Sequence, residues 1–483
     1  MSRDLLESCP RRAAPLAERL RTLTSGRRII NLHALPLHGV RRSLPAELGD
    51  RYSAMLDGVT SDVSFSGRAL DSFFAPVGPL AAAHEAAAAA FGADFSYFVT
   101  GGTSQSNRIA LDALGGPGSR LLLDGSSHQS MILSSTALGM EVTTVNEVQR
   151  GSVMVPDLDG IVDQLRAAHR AGRPFDIVAV TASSYDGLVL RFDHALPRLV
   201  EASPETAILV DSAWTAIHSF HSDVVRYTAL RAARNLRLQG VQLPQIIVTM
   251  SAHKSMGALR QGSYLHALGT GVAPSIRRAV FTNHTTSPSW PILASLDLAR
   301  LHAEMFGQAA VSSAIRLRAD FASAIRTDPL LRQLIRDADT VDESSGVFFT
   351  DPMRMTLNVS DLGESGRIRQ RLFDEFDIYI ARCSPAGLTL HFHIGVDATD
   401  VAALLGALHS LARERRMAAK SEASRFAIGA VVDCHVIPYP PGVPIAGPGD
   451  VWTRTHDRTL SEERIAGAEI FFIPARELER NSA

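Results

Sequence analysis

The chain has 483 residues, enough for two or three domains with a large core. Hydrophobic residues make up 46% and charged residues 20%, the balance of an ordinary soluble globular protein. A net charge of −2 gives no basis for nucleic-acid or anionic-membrane partners. Cys9, Cys383 and Cys434 are isolated thiols that suit a reducing cytoplasm and offer neither a disulfide framework nor a metal cluster. No apolar run is long enough to cross a bilayer.

In chain order, MSRDLLESCPRRAAPLAERLRTL carries acids and lacks an apolar signal core, so residues 1 to about 28 predict an amphipathic helical arm. Residues 30–75 are irregular and rich in Gly, Pro and Ser. PLAAAHEAAAAAFG (79–92) predicts an Ala-dense helix with Gly92 as its stop. SYFVT (96–100) reads as a buried strand, and GGTSQSNRIALDAL opens a helix. RLLLDG, VTTV, DIVAVTA, AILVDSAW and QIIVTMSAHK follow as further apolar strands, with helical segments such as 159–172 between several of them. Strands apolar on both faces and alternating with helices predict an α/β fold with a mainly parallel sheet. One or two long helices run from ILASLDLARLHAEM to about residue 325. Beyond 330, VFFTDPMRMTLNVS, RIRQRLFDEFDIYI, LTLHFHIGV and VAALLGALHSLARE predict a smaller α+β domain. The tail VIPYPPGVPIAGPGD is expected to be irregular. The expected division is an arm at 1–65, a large domain at 66–325 and a C-terminal α+β domain at 326–483.

Ligands of open parallel sheets sit outside the carboxyl ends of the strands. Four polar sets fall there: GGTSQ after SYFVT, GSSH after RLLLD, DSAW after AILV, and SAHK after QIIVTM. The last holds the most telling residue. Of 48 basic residues only Lys254 and Lys420 are lysines. Guanidinium replaces ammonium where only charge is needed, but it cannot lose its proton and attack a carbonyl. Lys254, at the end of an apolar strand, is therefore a candidate Schiff-base amine, whereas Lys420 lies in the polar stretch ARERRMAAKSEAS.

Gly101, Gly102, Thr103, Ser104 and Gln105 join a strand to a helix start. They form either a phosphate cup or a plain N-cap. Asp211 can pair with a cationic ring nitrogen or cap the next turn. His128 can stack on a flat ligand or serve as a loop histidine, and Trp214 can be pocket wall or core. His391 and His393 face one side of a strand without a third ligand nearby, which favours structure over metal. The combination of a reactive Lys, an acid at a strand end, a stacking His and a phosphate cup is what pyridoxal phosphate requires.

In order and wording the chain resembles the Orn/Lys/Arg decarboxylase family of fold-type-I pyridoxal-phosphate enzymes, the aspartate aminotransferase-like, PLP-dependent transferase-like fold. The resemblance rests on FGADFSYFVTGGTSQSN (91–107), LLLDGSSHQSM (121–131), DSAW (211–214), SAHKSMGALRQGSYLH (251–266), HTTSPSWPILAS (284–295), DPMRMTL (351–357) and PYPPGVPIAGPGD (438–450). The DSAW wording is similar to that of the large bacterial inducible decarboxylases, and no counterpart of their N-terminal wing is expected.

The resemblance implies that Lys254 holds pyridoxal 5'-phosphate, Asp211 binds its ring nitrogen and His128 stacks on the ring. Thr103, Ser104, Ser251 and His253 would lie about its phosphate, with Trp214 nearby. It also implies a homodimer or higher homo-oligomer with the site between subunits, so that Thr285 or Thr286 reaches the partner's phosphate. Ala252 where the family usually has Thr, Arg260, Arg382, and Asp450 in place of a Glu are departures that bear on substrate choice. Asp450 and Arg382 are the candidates for substrate binding. The implied reaction is decarboxylation of Arg, Lys or Orn to an amine and CO2 in the cytoplasm. Another reaction on the same cofactor (transamination, elimination, retro-aldol cleavage or oxidation), or a non-catalytic relative, are the alternatives.

Overall fold

The computed structural model describes residues 13–25, 45, 50, 62–150, 153–269, 271–337, 346–384, 387–421, 426–439, 444–465 and 469–474. Of the expected N-terminal helix, Pro15–Thr24 is helical, with Leu16, Leu20 and Leu23 buried at the three- and four-residue spacing of one helix face. Residues 1–12 and 26–28 of that expectation lie outside the described residues.

The chain forms two units. The first comprises Met1–Asp320, Ala338–Met355 and Leu390–Asp397. At its centre is a seven-stranded sheet, numbered here in chain order: β1 (Phe95–Val99), β2 (Arg120–Asp124), β3 (Glu141–Val145), β4 (Ile177–Thr181), β5 (Ala207–Asp211), β6 (Ile246–Ser251) and β7 (Ser263–Leu268). Their spatial order is β1-β7-β6-β5-β4-β2-β3. The pairs β2·β3, β2·β4, β4·β5 and β5·β6 are parallel. β7 alone runs against both of its neighbours. Every residue of β5, β6 and β7 is buried, as expected of strands covered on both faces.

Helices follow from the same local logic. In Pro79–Phe91 the Ala run favours helix, Pro79 occupies the first turn, and Gly92 stops it in the left-handed conformation at φ 75°. Its start is closed by Asp71, whose Oδ2 accepts from the backbone N–H of Gly78 (3.0 Å) and Leu80 (2.9 Å). A second small pairing in this unit was not legible in the sequence: Leu188–Leu190 runs antiparallel to Phe348–Thr350.

The second unit comprises Phe321–Asp337, Thr356–Thr389 and Ala398–Ala483. It contains the helices Ser365–Phe376 and Ala398–Ser421, joined by Arg371, which reaches Glu375 (2.5 Å) and Glu414 (2.7 Å). The tail departs from expectation. Cys434–Tyr439 is a strand, paired antiparallel with Glu469–Pro474, so VIPY is regular. Pro438 is tolerated because its nitrogen, like that of Val436 two residues before, faces away from Glu469–Pro474, on a side where the only bridge is Val436 with Ala446 among the described residues. Val436 and Trp452 are buried in a small core with Phe426, Val432 and Leu460.

Two fully buried histidines in the first unit make it acid-sensitive. Burial lowers His84 and His266 from 6.5 to about 3. His266 Nδ1 meets Ser96 Oγ at 2.7 Å, and its Nε2 has no hydrogen-bond partner. Between pH 6.5 and 3 the unfolded chain binds protons at these rings while the folded chain does not. Stability therefore rises with pH across that window and is lost as pH falls, by up to about 1.4 kcal/mol per pH unit for each ring. Urea midpoints at pH 7.5 and 5 should fall further in the wild type than in His266→Asn, whose ring no longer titrates.

Candidate functional site

The parallel register brings the four polar sets to one edge of the sheet. Asp211 at the end of β5 is aligned with Thr181 on β4 and Thr249 on β6. Because β7 is reversed, its first residue, Ser263, lies level with the last residues of β6 and β1, Ser251 and Val99. The hydroxyls converge there: Thr103 Oγ1 lies 2.6 Å from Ser251 Oγ and 3.2 Å from Ser263 Oγ, and Ser106 Oγ lies 2.8 Å from Ser263 Oγ. Thr103 and Ser251 are buried, whereas Ser104 is exposed at the mouth of the turn.

The helix Gly102–Leu114 begins without a side-chain cap. Gly102 has φ 71°, and a Cβ added there would stand 3.9 Å from His253 Cε1. Its N–H donates to the carbonyl of Gln261 (2.8 Å), itself at φ 71°. This turn needs glycine for conformation and keeps the backbone open to an anion. His253 Nδ1 donates to the Gly262 carbonyl (2.9 Å). Burial lowers its basicity, and Lys254 and Arg260 add to that effect against the Gly262 carbonyl.

Asp211 is 6% exposed. Its Oδ1 accepts from the Ala213 N–H (3.0 Å) and its Oδ2 from Asn107 Nδ2 (2.9 Å). Asn107 also donates to Ser130 Oγ (3.0 Å) and accepts from Thr249 Oγ1 (2.6 Å), so this amide is in use at both ends and its orientation is fixed. Ser130 in turn meets His128 Nδ1 through Oγ (2.9 Å) and N–H (3.1 Å). The backbone donor makes Nδ1 an acceptor and places the ring proton on Nε2. One hydrogen-bonded chain thus links His128 to Asp211. The loop before His128 is held by buried Asp124, which accepts from Ser126 (2.8 and 2.6 Å) and from the Thr181 N–H. Burial pushes the Asp124 carboxyl up, against those donors.

Lys254 follows β6 on the single turn Ala252–Ser255 and is half-buried. Its Nζ stands 4.5 Å from the ring centre of Trp214, in cation–π range. Burial lowers its pKa from the ordinary value, Asp211 opposes the shift, and Arg354 adds to it. Arg354 Cζ is also 4.5 Å from the Trp214 ring centre. Tyr185 and His391 pack edge-on against the same indole, at 5.3 and 6.1 Å. His391 is held neutral to about pH 3 by burial and by Arg354.

The remaining candidates belong to other elements. Thr285 and Thr286 are exposed and follow His284, whose Nε2 accepts from the Thr100 N–H (3.1 Å) just before the glycine pair. Arg382 is exposed on the strand Arg382–Ser384, and Asp450 Oδ2 closes a turn by accepting from the Gly447 N–H (2.7 Å). Both belong to the second unit. Sequence reasoning missed Asn107, Ser130, Arg354 and the pair His218–Asp351. Asn107 had a signal: it lies one helical turn beyond Thr103, on the same face.

Comparison with known proteins bears on fold and family. The fold is that of fold-type-I pyridoxal-phosphate enzymes. A family model described as Orn/Lys/Arg decarboxylase, major domain, matches residues 56–400, and the chain belongs to that family. It is 28% identical to the constitutive lysine decarboxylase of Escherichia coli, over 73% of this chain and 53% of that protein. It is 24% identical to the arginine decarboxylase of Halalkalibacterium halodurans, over 83% and 84%. The chain spans about half the length of the curated lysine decarboxylases it matches. The crystal structure of the Francisella novicida lysine decarboxylase superposes with a TM-score of 0.70 at 17% identity, covering 95% of this chain and 79% of that one. Serine palmitoyltransferase of Sphingomonas wittichii superposes at 0.53 and 16%, covering 80% and 85%.

Asn107→Leu strips Asp211 Oδ2 and Thr249 of their buried partner. It should lower stability by about 1–3 kcal/mol, read as a reduced urea midpoint. Asn107→Asp, which sets two carboxylates face to face, should become less damaging as pH falls and one of them takes a proton.

Proposed function

We propose that the chain is a pyridoxal-phosphate-dependent decarboxylase of a basic amino acid of the Lys, Arg or Orn class, releasing CO2 and the corresponding amine. The observation that carries this reading is Lys254: an amine of lowered basicity, over Trp214 and in the field of buried Asp211. The donor set fits the cofactor, with an amine, a carboxylate held by two donors, and a glycine turn at an uncapped helix start backed by hydroxyls. When bound, the cofactor supplies an aldehyde for an amine and a ring that draws electrons from the α-carbon.

The chain's own groups do the rest. Lys254 Nζ, made less basic by burial, would hold the cofactor and carry a proton. Asp211, fixed by Asn107 and the Ala213 N–H, would pair with the ring nitrogen. His128, with its proton on Nε2, would lie against the ring. Ser104, His253 and the uncapped helix N–H groups would receive the phosphate, with the buried hydroxyls of Thr103 and Ser251 beside it. Exposed Thr285 and Thr286 reach the phosphate of a second copy in a homodimer or larger homo-oligomer, and Asp450 and Arg382 contribute to substrate choice. Among the described residues no helix is long and apolar enough to cross a membrane, in keeping with the cytoplasmic setting we assign.

Purified protein with added pyridoxal phosphate should convert at least one of L-lysine, L-arginine and L-ornithine to its amine with release of CO2. Lys254→Ala should lose both that product and the visible absorbance of the bound cofactor. Absence of amine from all three substrates would overturn the reading.

A further inference from the structure

A cavity of about 180 Å³ lies between the helix Pro79–Phe91 and the start of β1. Phe95 is at the opposite end of β1 from Val99, which is level with Ser251 and Ser263, so roughly 13 Å of strand separates the cavity from the edge that carries Lys254. His84 forms one wall and is only 6% exposed. Its Nε2 accepts from the Phe98 N–H (3.2 Å), which places the proton of the neutral ring on Nδ1. Among the described residues nothing accepts that proton. A buried donor without an acceptor is costly, and such a group is expected to find one in the working protein.

The other walls define what that acceptor can belong to. Arg277, on the helix Val272–Asn283, is exposed and lines the same cavity, with its guanidinium 5.6 Å from the ring centre of Phe95. It makes no hydrogen bond or ion pair among the described residues. Beyond the dominant effect of burial, its charge is felt by both His84 and Tyr97, so it stands close to the unused donor. Two acids also line the space. Asp94 is already held by Arg237 through both oxygens (2.8 and 2.9 Å) and accepts from the Gly269 N–H (2.9 Å). Glu85 is exposed and carries no such cation. Phe95 and Tyr97 supply aromatic wall, and the small side chain of Ala81 leaves room. One unpaired cation and one neutral donor beside apolar wall suit a singly charged anion, whereas a doubly charged one would be repelled by Glu85.

We propose that this cavity is a second binding site, apart from the Lys254 edge, for a small flat monocarboxylate whose charge is taken by Arg277 and which supplies the acceptor that His84 Nδ1 lacks. The apolar body of the ligand lies against Phe95 and Tyr97. The site needs no role for Lys254, so it stands or falls independently of the reaction assigned above. Its ligand meets the strand that leads to the glycine turn, since His84 holds the Phe98 N–H and β1 continues through Thr100 to Gly101 and Gly102.

The probe is benzoate, with phthalate as its doubly charged counterpart and benzyl alcohol as its uncharged one. The full chain, loaded with pyridoxal phosphate, is titrated by calorimetry while the cofactor's absorbance is followed. Benzoate should bind, raise the thermal midpoint and leave the absorbance unchanged. Phthalate and benzyl alcohol should bind roughly tenfold more weakly or not at all. Arg277→Gln, a change at the surface, should weaken benzoate roughly tenfold or more, to the level of benzyl alcohol. Ala81→Leu, which fills the cavity from a half-buried position, should abolish binding. His84→Gln, which keeps an acceptor for the Phe98 N–H but loses the Nδ1 donor, should weaken benzoate more than benzyl alcohol. No heat with benzoate up to about 10 mM, binding left unchanged by Arg277→Gln and Ala81→Leu, or binding that shifts the cofactor's absorbance overturns the proposal. A chain that takes up no cofactor overturns the assigned reaction alone, and the same titration of the unloaded protein then decides the cavity.

Discussion

The site depends on holding a carboxylate where water barely reaches. Asp211 lies at the end of a fully buried strand, and removing a carboxylate from water is expensive unless donors replace the lost hydration. The Ala213 N–H and the Asn107 amide supply them. Asn107 is committed at its other atoms to Thr249 on the neighbouring strand and to Ser130, which orients His128. One side-chain amide therefore couples two strands, a helix and a loop, and any ligand set between His128 and Asp211 inherits that rigidity.

The second organising element is the indole of Trp214, which is shared by an ammonium and a guanidinium. Two cations near one ring repel, and the one able to release its proton is Lys254, since guanidinium does not do so in proteins. The composition of the chain makes the same division at larger scale, with 46 of its 48 basic residues written as Arg. Charge is supplied by guanidinium throughout, and an amine is retained where its lone pair has use.

What the sequence revealed and what it hid follow from the range of each signal. Strands β4, β5 and β6 were legible because continuous apolar runs imply burial on both faces, and the polar residues ending them mark one edge. Lys254, Asp211 and His128 were singled out as candidates because each sits at or just past the end of such a run. The reversal of β7 was not: SYLHAL has the same apolar character whichever way it runs, yet that reversal delivers Ser263 to Thr103 and Ser251. Arg354 looked like one more Arg in a chain full of them, and only tertiary placement beside Trp214 sets it apart. VIPY was read as irregular because Pro bars a central strand, whereas a two-stranded pairing leaves edges where Pro is harmless.

The first unit is not continuous along the chain. It takes back Ala338–Met355 and Leu390–Asp397 after the chain has left it. The seven strands, Lys254 and Asp211 are all complete by residue 268, but Phe348–Thr350, Asp351, Arg354 and His391 come much later. On a ribosome building from the N-terminus, the sheet edge and its amine therefore exist before the groups that finish the wall around Trp214. Closing such a distant pairing is also among the slower events in folding. A nascent chain halted before Phe348 would present the amine without Asp351, Arg354 and His391 around it.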